Sequence, residues 1–508
     1  MDYVPLAVRL LANVCIGFSP QYMLTRWRKE KTAMLCTHEV TPDKLESIEV
    51  SISLSLAALD IASHPEAVQL LSILCQLPDG LQQWEKQLPL ILMGAGLQNF
   101  HHLVHLLHKT ALLLITSSGL KVLSPIRHFI NLHHQASLED IQRLENHFWD
   151  LIHTHATTPF GPGFLEAKEM LEPEMGNIQS LIKNAAETHP SANLVDIVLE
   201  VSNFLLKTIP STELLDVIMA LVKKIGSPTQ QASVLKCVGD VLCSQNRYTD
   251  ASKTLTEARR HFLEIGDVLG AAQCTQILGD ILYMQDKYTE ASNTLTEAQK
   301  QFIEIGDVMG AAQCSKSLGD ILYMQAKYTE AASTLTEAQK QFIEIGHLLG
   351  AAQCSKSLGN ILCMQGKYIE ASSTLTEAQK QFIEIGDVMG AAQCSKSLGN
   401  ILYMQAKYTD ASNTLTEAQK QFIEIGYVLG VAQCSESLGN MLCMQGKYTE
   451  ASKTLTEAQN QFIEIGNVQS AAQCSQTLGD ILHMQDESMQ PSTDAISCMS
   501  CMPHAELW

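Results

Sequence analysis

The sequence repeats itself with a period of 40 residues, and this period limits the folds that the chain can adopt. The ten letters EAQKQFIEIG occur four times without change, and one edited copy stands on each side of them. The six copies begin at Glu257, Glu297, Glu337, Glu377, Glu417 and Glu457. A fixed period of this length indicates a repeat architecture, in which each unit buries its apolar surface against its neighbours.

Each repeat unit is predicted to contain two helices. Along a second helix from Thr289 to Ile305, apolar residues recur at steps of three and four and therefore share one face. Those residues are Ala291, Leu295, Ala298, Phe302 and Ile305. Gly306 follows where a helix C-terminus favours a left-handed residue, and Asp307 is placed to cap the next helix. That helix, the first of the following unit, is predicted from Val308 to Gln325.

Small residues at fixed positions predict close packing between the two helices of a unit. Gly319 and Ala331 would let the two backbones approach where the helices cross. The remainder of the first helix is predicted to bury Ala311, Cys314, Leu318, Ile321 and Leu322.

Six cysteines also recur once per unit. They are Cys274, Cys314, Cys354, Cys394, Cys434 and Cys474. Equivalent positions of stacked helices lie at least about 8–10 Å apart. A disulfide needs Cα atoms within about 7 Å, so we expect six buried thiols rather than disulfides.

The unit LGDILYMQAKYTEAASTLTEA, which begins at Leu318, resembles the tetratricopeptide repeat (TPR). The matching residues are Leu318, Gly319, Tyr328, Ala331, Leu335 and Ala338. The 40-residue form is similar to the TPR arrays that are attached to STAND NTPases. The resemblance covers residues 231–486 and implies an all-α fold, a superhelical solenoid of antiparallel helix pairs. It predicts six full pairs and a final unpaired helix over residues 467–485.

The amino-terminal half is less periodic and resembles a different part of the STAND family. The segment VPLAVRLLANV, from Val4 to Val14, is similar to the GLPLA element of NB-ARC modules, and the segments that follow resemble the winged helix of that family. We therefore expect residues 1–135 to be the end of an NB-ARC module with a winged-helix-like region. Residues 136–230 are predicted to be a helical connector, and residues 487–508 a disordered tail.

Composition excludes some classes of partner. The formal net charge is −20, whereas nucleic-acid binding depends on phosphate neutralisation by basic residues, so we expect no nucleic-acid partner. No run of about 18 apolar residues occurs, so no membrane span is predicted. Asp2 stands where a signal peptide has basic residues, and we expect a cytoplasmic protein.

Patterns that would carry chemistry are missing or isolated. A STAND ATPase needs the phosphate-binding loop GxxxxGK[ST], and this pattern does not occur in the chain. His101, His105 and His108 share one helix face and could hold zinc, but the polar side of an amphipathic helix is the favoured interpretation. Cys498 and Cys501 have CxxC spacing without a second pair. We therefore predict no catalytic residue, metal or cofactor.

A polar stripe runs along the first helices of successive units. In the TPR family this stripe lines the concave groove where ligands bind, so the resemblance implies a peptide-binding groove here. Its residues are Gln313, Lys316, Asp320, Tyr323, Gln353, Lys356, Asn360, Gln393, Lys396, Asn400, Tyr403 and Asn440. We call these twelve residues the first-helix stripe. The alternative is an ordinary solvated face that was copied with each repeat.

The expected function is that of a non-enzymatic scaffold or ligand-sensing arm that binds a protein or peptide in the groove. Lys316, Lys356 and Lys396 would contact carboxylates, while Asn360, Asn400 and Asn440 would bind peptide amides. A first alternative is a fragment of a STAND-type regulatory ATPase without its nucleotide-binding core. A second is an adaptor similar to kinesin light chain, for which no cargo-coupling segment is found.

Overall fold

The computed structural model describes residues 64–489 except positions 98, 118 and 466, together with residues 52, 55, 56 and 59. The GLPLA-like segment from Val4 to Val14 and the CxxC pair, Cys498 and Cys501, lie outside these residues. The chain divides into two compact units. The first comprises residues 1–159, 163–241 and 260–265, and the second comprises residues 160–162, 242–259 and 266–508.

The first unit combines helices with a small antiparallel sheet. Its strands are β1 (Leu81–Gln82), β2 (Leu114–Ile115) and β3 (Gly119–Lys121), and β3 lies between the other two. Leu81 faces Leu120 across the first pair of strands. The helices around and after the sheet are Pro65–Leu74, Trp84–Ile91, Phe100–Lys109, Ser124–His133, Leu138–His155, Pro162–Leu171, Met175–Thr188, Ala192–Lys207 and Glu213–Ile225.

A buried carboxylate holds part of this first unit together. Glu174 accepts hydrogen bonds from the Gln87 side chain at 3.0 Å and from the Asn177 side chain at 2.6 Å. The Asn177 amide also donates to the Gly80 carbonyl at 2.7 Å. Burial raises the pKa of Glu174 in spite of these hydrogen bonds. Because these partners use its polar atoms, we interpret this cluster as structural.

From Pro228 onward the chain is a series of antiparallel helix pairs. The first helices are Pro228–Ser244, Val268–Met284, Val308–Met324, Leu348–Met364, Val388–Met404 and Val428–Met444. The second helices are Tyr248–Glu264, Tyr288–Ile305, Tyr328–Glu344, Tyr368–Ile385, Tyr408–Glu424 and Tyr448–Glu464. A final helix runs from Val468 to Met489, a few residues beyond the predicted end. These pairs form an all-α solenoid of the tetratricopeptide type.

The turns between units follow the predicted cap chemistry. Gly306 ends a second helix in the left-handed conformation, with φ of 77°. The Asp307 carboxylate then accepts from the backbone N–H groups of Met309 and Gly310, which begin the next helix. In another unit His347 replaces the aspartate, and its Nδ1 accepts from the N–H of Gly350 at 3.1 Å. The glycine therefore recurs in these turns with a side-chain cap at Asp307 and His347, whereas Tyr427, at the same position in a later unit, supplies no side-chain cap.

The core of each unit is built from the predicted faces, with one correction. Ala291, Leu295, Ala298 and Phe302 are fully buried, whereas Ile305, predicted on the same face, is 40% exposed. A helix stripe drifts around the axis, so the last residue of the second helix lies beyond the edge of the partner helix. On the following first helix, Cys314 and Ile321 are buried but Ala311, Leu318 and Leu322 are only half-buried.

The recurrent cysteines are buried thiols, as predicted. All six are buried. Burial raises the pKa of Cys314, Cys354 and Cys394 to about 12, so these thiols stay protonated at neutral pH. They pack as small apolar side chains.

No helix in the described part of the chain is both long and apolar enough to cross a membrane.

The glycine at the helix crossing gives a first prediction. A Cβ atom on Gly359 would lie 2.7 Å from Cγ of Leu375, closer than packed atoms can approach, whereas a Cβ on Gly479 would have nothing within 4 Å. We expect Gly359→Ala to destabilise the protein by about 1–3 kcal/mol through overpacking. Gly479→Ala, in the final helix, is the matched control and should leave stability unchanged or slightly raised. Urea unfolding followed by circular dichroism measures both, and equal stabilities for the two variants would contradict the packing argument.

Candidate functional site

The twelve residues of the first-helix stripe lie together on the first helices of four successive units. Every one of them is half-buried, so the stripe is neither core nor fully solvated surface. Their helices are Val308–Met324, Leu348–Met364, Val388–Met404 and Val428–Met444. The stripe is therefore a recessed polar surface, and a ligand that entered it would lose much of its contact with water.

Hydrogen bonds connect the stripe from one unit to the next. The Ser357 hydroxyl donates to the Asp320 carboxylate at 2.7 Å, although the two residues belong to neighbouring units. The Lys396 ammonium donates to the side-chain oxygen of Gln433 at 2.7 Å, and Lys356 donates in the same way to Gln393. These bonds fix the first helices against each other and hold the lysine ammonium groups in defined positions.

Lys316 differs from the other two lysines of the stripe because it has a carboxylate partner. Its ammonium lies 3.0 Å from the Asp320 carboxylate, and the two side chains are 23% and 16% exposed. Burial alone would lower the pKa of Lys316, but the charge of Asp320, the hydrogen bond that it accepts from the ammonium and the charge of Asp280 together outweigh burial, and the pKa is raised. The predicted contact of Lys316 with a ligand carboxylate stays a prediction, but in the structure this lysine already has a carboxylate partner within its own unit.

Lys356 and Lys396 are compensated less closely: the charges of Asp320 and Asp387 act on Lys356, and that of Glu436 acts on Lys396, but from beyond ion-pair distance. One helical turn after Lys316 comes Asp320. At the same spacing, Lys356 and Lys396 are followed by the neutral residues Asn360 and Asn400. Within the residues that the structure describes, neither ammonium has a carboxylate at ion-pair distance; each meets the neutral amide of a glutamine instead. Burial lowers the pKa of both lysines, and the positive charge of Lys316 lowers the pKa of Lys356 further. The result is a recessed positive section of the stripe.

Two polar atoms beside this section have no hydrogen-bond partner. They are Oδ1 of Asn360 and the hydroxyl of Tyr323, and both atoms are shielded from solvent. A buried polar group without a partner is uncommon in native proteins and is costly, so it needs an explanation. The pair offers an acceptor on Asn360, one helical turn after Lys356, and a hydroxyl on Tyr323, in the preceding unit.

Acidic residues border the positive section along the stack. Asp280 lies in the unit before Lys316, and burial raises its pKa while hydrogen bonding from Ser317 opposes the shift. Glu436 replaces the lysine in the unit after Lys396, and burial raises its pKa to about 7, with Lys396 opposing. The stripe thus changes sign along its length and is not a uniform copied surface.

The remaining predicted residues of the stripe occupy equivalent positions in their units, and they do not contribute to its charge. Gln313, Gln353, Asn400 and Asn440 occupy equivalent half-buried positions. The Tyr403 ring lies 6.1 Å from that of Tyr408, between centroids.

Sequence reasoning missed several residues of the stripe. They are Asp280, Ser357, Gln433 and Glu436. A comparison of the units position by position, looking for residues that depart from the repeat, would have found Glu436.

The other patterns singled out in the sequence remain separate from this stripe. His101, His105 and His108 lie exposed on one helix, and His108 Nδ1 is 3.1 Å from the carbonyl oxygen of Leu113. Among the residues that the structure places, no three histidine, cysteine or acidic side chains come together in a way that could hold a metal ion.

Comparison with known proteins finds solved structures that are similar to this chain at low identity. No family model and no curated protein matches this chain. A Rap protein complexed with competence and sporulation factor is 15% identical, with 69% of this chain and 99% of that chain covered and a TM-score of 0.45. A STAND protein with a tetratricopeptide repeat sensor from Pyrococcus horikoshii is 14% identical, with 95% and 72% covered and a TM-score of 0.48. NprR in complex with its cognate peptide NprX is 14% identical, with 69% and 99% covered and a TM-score of 0.45.

The raised pKa of Glu436 predicts a specific pH dependence of stability. Its folded-state pKa is about 7 against an unfolded value near 4.5, so the folded chain binds more protons between these values. The free energy of unfolding should therefore fall as the pH rises from 4.5 to 7. Glu436→Gln should remove this loss and stabilise the protein at pH 8 by on the order of 1–3 kcal/mol, but not at pH 4.

Thermal unfolding of the variant across this pH range measures the effect. Glu464→Gln, which changes an exposed carboxylate on a second helix, is the control. A stability gain for Glu436→Gln that is the same at acidic and alkaline pH would contradict the assignment.

Proposed function

We propose that this protein is a non-enzymatic binding scaffold whose first-helix stripe holds an extended peptide or protein segment bearing a carboxylate. The carrying observation is the contrast between Lys316, which is paired with Asp320 at 3.0 Å, and Lys356 and Lys396, which are half-buried with no carboxylate at ion-pair distance among the described residues. The carboxylate of the ligand would occupy the space between Lys356 and Lys396.

Electrostatics favours an anionic ligand at this position. Removing an ammonium from water is unfavourable unless another group compensates the charge, and the lowered pKa of Lys356 and Lys396 reflects that cost. A carboxylate placed between the two lysines would stabilise both charges at once. Because the surroundings are recessed, this attraction is less screened by water than a surface ion pair.

The unpartnered atoms beside the lysines suit a peptide backbone. Oδ1 of Asn360 can accept a hydrogen bond from a peptide N–H, and the hydroxyl of Tyr323 can donate to a peptide carbonyl. A ligand that satisfied both atoms would remove the cost of leaving them unpaired in the empty stripe. These contacts would set the orientation of the bound peptide, while the two lysines would favour a peptide that carries a negative charge.

Amide side chains that recur from unit to unit would contribute the rest of the binding affinity. Gln353, Gln393 and Asn400 offer further amide groups at the unit spacing, so an extended ligand meets a similar set of contacts in each unit. Several weak contacts with one chain add together once the first of them has formed. A ligand that spans several units is therefore preferred over a small molecule.

We also infer that the first unit contains a winged-helix-like domain, as the resemblance to the STAND family implies. The order of its elements from residue 64 onward supports this inference, since the helix Pro65–Leu74 precedes β1, two helices follow it, and β2 and β3 then pair as a hairpin. No nucleotide-dependent activity is inferred from this region.

Charge reversal in the positive section tests the proposed function. The double variant Lys356→Glu and Lys396→Glu should weaken binding of carboxylate-bearing peptides by about tenfold or more, since contacts to charged groups contribute about 1.5–3 kcal/mol. The control is Lys367→Glu with Lys407→Glu, which changes the same net charge at exposed positions in the turns. A library of random octapeptides, prepared with free and with amidated carboxyl termini, provides the ligands, and fluorescence anisotropy measures them.

Two outcomes would contradict the proposal. One is equal binding of wild type and the double variant with unchanged circular dichroism. The other is loss of binding in the turn-lysine control alone, which would place the ligand at the edge of the solenoid.

A further inference from the structure

Each repeat unit presents an apolar corner where its second helix ends and the next first helix begins. One corner contains Ile305 and Gly306 at the end of a second helix, and its isoleucine is 40% exposed. The next corner, at Ile345, has a nearly identical exposure of 41%. Such isoleucines lie outside the first-helix stripe and belong to a surface that the proposed function does not use.

The corner at Ile385 has the same sequence as the corner at Ile305, but it is covered. Residues 297–319 and residues 377–399 are identical letter for letter. Nevertheless Ile385 is only 3% exposed and Gly386 is buried, whereas Gly306 is exposed. The difference therefore arises from what lies on the corner and not from the corner itself.

A non-helical segment of the same chain lies on the Ile385 corner. Phe160 packs against the apolar cluster that includes Ile385, and the N–H of Gly161 donates to the carbonyl of Ile385 at 3.0 Å. Residues 160–162 belong to the second of the two compact units into which the chain divides, and the Ile385 corner belongs to the same compact unit. Leu349, which packs on the same cluster, is half-buried, while Leu269, its equivalent next to Ile305, is 43% exposed.

The geometry explains why this pair of residues fits the corner. The last carbonyl groups of a helix have no intrahelical donor, so the Ile385 carbonyl is available to an incoming N–H. The aromatic ring packs on the apolar cluster that contains Ile385 and removes apolar surface from water. Glycine lacks a Cβ atom, which lets its backbone come close enough to donate while the preceding ring is in contact. Ile383, two residues earlier on the helix, stays 60% exposed, so the cover is confined to one face.

We propose that the Ile305 corner is a docking site for a partner segment in which an aromatic residue is followed by glycine. Phe160 and Gly161 show the mode of binding at the identical Ile385 corner. The partner's ring would pack on Ile305 and Leu269, and the N–H of its glycine would donate to the Ile305 carbonyl. The site would recognise two uncharged chemical features, an aromatic ring and the backbone N–H of the residue that follows it.

The probe for this site is the heptapeptide TTPFGPG, which has the sequence of residues 157–163. Labelled with a fluorophore at its amino terminus, it should bind the full chain saturably with a Kd of about 0.1–1 mM, as expected for one small apolar contact with one hydrogen bond. Replacing its phenylalanine by alanine, or its glycine by N-methylglycine, should weaken binding about tenfold or more. N-methylglycine removes the donor and leaves the side chains of the peptide unchanged.

Variants of the protein locate the site. Ile305→Asp should weaken binding of the peptide about tenfold, because it places a charge where the ring packs. Ile303→Asp is the matched control, since it lies on the same helix end but its equivalent Ile383 is not covered. The double variant Lys356→Glu and Lys396→Glu should leave this binding unchanged, which separates the corner from the first-helix stripe.

Phe160→Ala provides an independent measurement. It uncovers the Ile385 corner, so the number of peptides bound per chain should rise by one. Absence of binding, or binding that Ile305→Asp leaves intact, would overturn the proposal. So would a dimer of the chain, seen by analytical ultracentrifugation, that Ile305→Asp dissociates, because a second copy would then be the occupant of the corner.

Discussion

The contact between a glycine on the first helix and a leucine on the second helix, present in five of the helix pairs, sets the geometry of the array. In the structure there is no room for even one additional carbon atom between Gly319 and Leu335, or between Gly359 and Leu375. This approach fixes the distance between the two helices, and the distance decides which side chains can fill the space on either side. Ala331 and Phe342 pack there with no exposed surface. The same close approach, repeated with the same residues, produces units of the same shape.

Identical shape has a consequence for the polar surface. Because each unit returns the chain at the same angle, residues at the same position in successive units line up along the stack, whatever their chemistry. A change at one such position then alters the charge of the line without disturbing the packing beneath it. Asp320 in one unit and Asn360 in the next leave the helices unchanged, but they replace a lysine that is paired with a carboxylate by one that has no carboxylate at ion-pair distance among the described residues. Binding specificity can thus be altered independently of the fold.

Much of this architecture could be predicted from the sequence because its determinants are local. The steps of three and four along Tyr288–Ile305, the left-handed Gly306 and the Asp307 cap are all contained within one unit. The pairing of Lys316 with Asp320 is also local, at a spacing of one helical turn, and a comparison of units would have found it. The link between Ser357 and Asp320 crosses units and follows only once the helices are stacked. The cover on Ile385 could not be predicted, because Gly161 lies far away in the chain and no periodic pattern connects the two.

The near identity of neighbouring units also bears on how the chain reaches its native pairing. The first helix Val308–Met324 would find almost the same partner surface on Tyr368–Ile385 as on its native partner Tyr328–Glu344. Contact energies alone do not distinguish the two pairings, so the length of the intervening chain must. Closing a loop of a few residues costs about 2 kcal/mol less entropy than closing one that contains a whole additional unit. The short turn at Ala326, with its left-handed backbone, therefore does more than join two helices. It gives the adjacent pairing the kinetic and entropic advantage that six nearly identical units would otherwise lack.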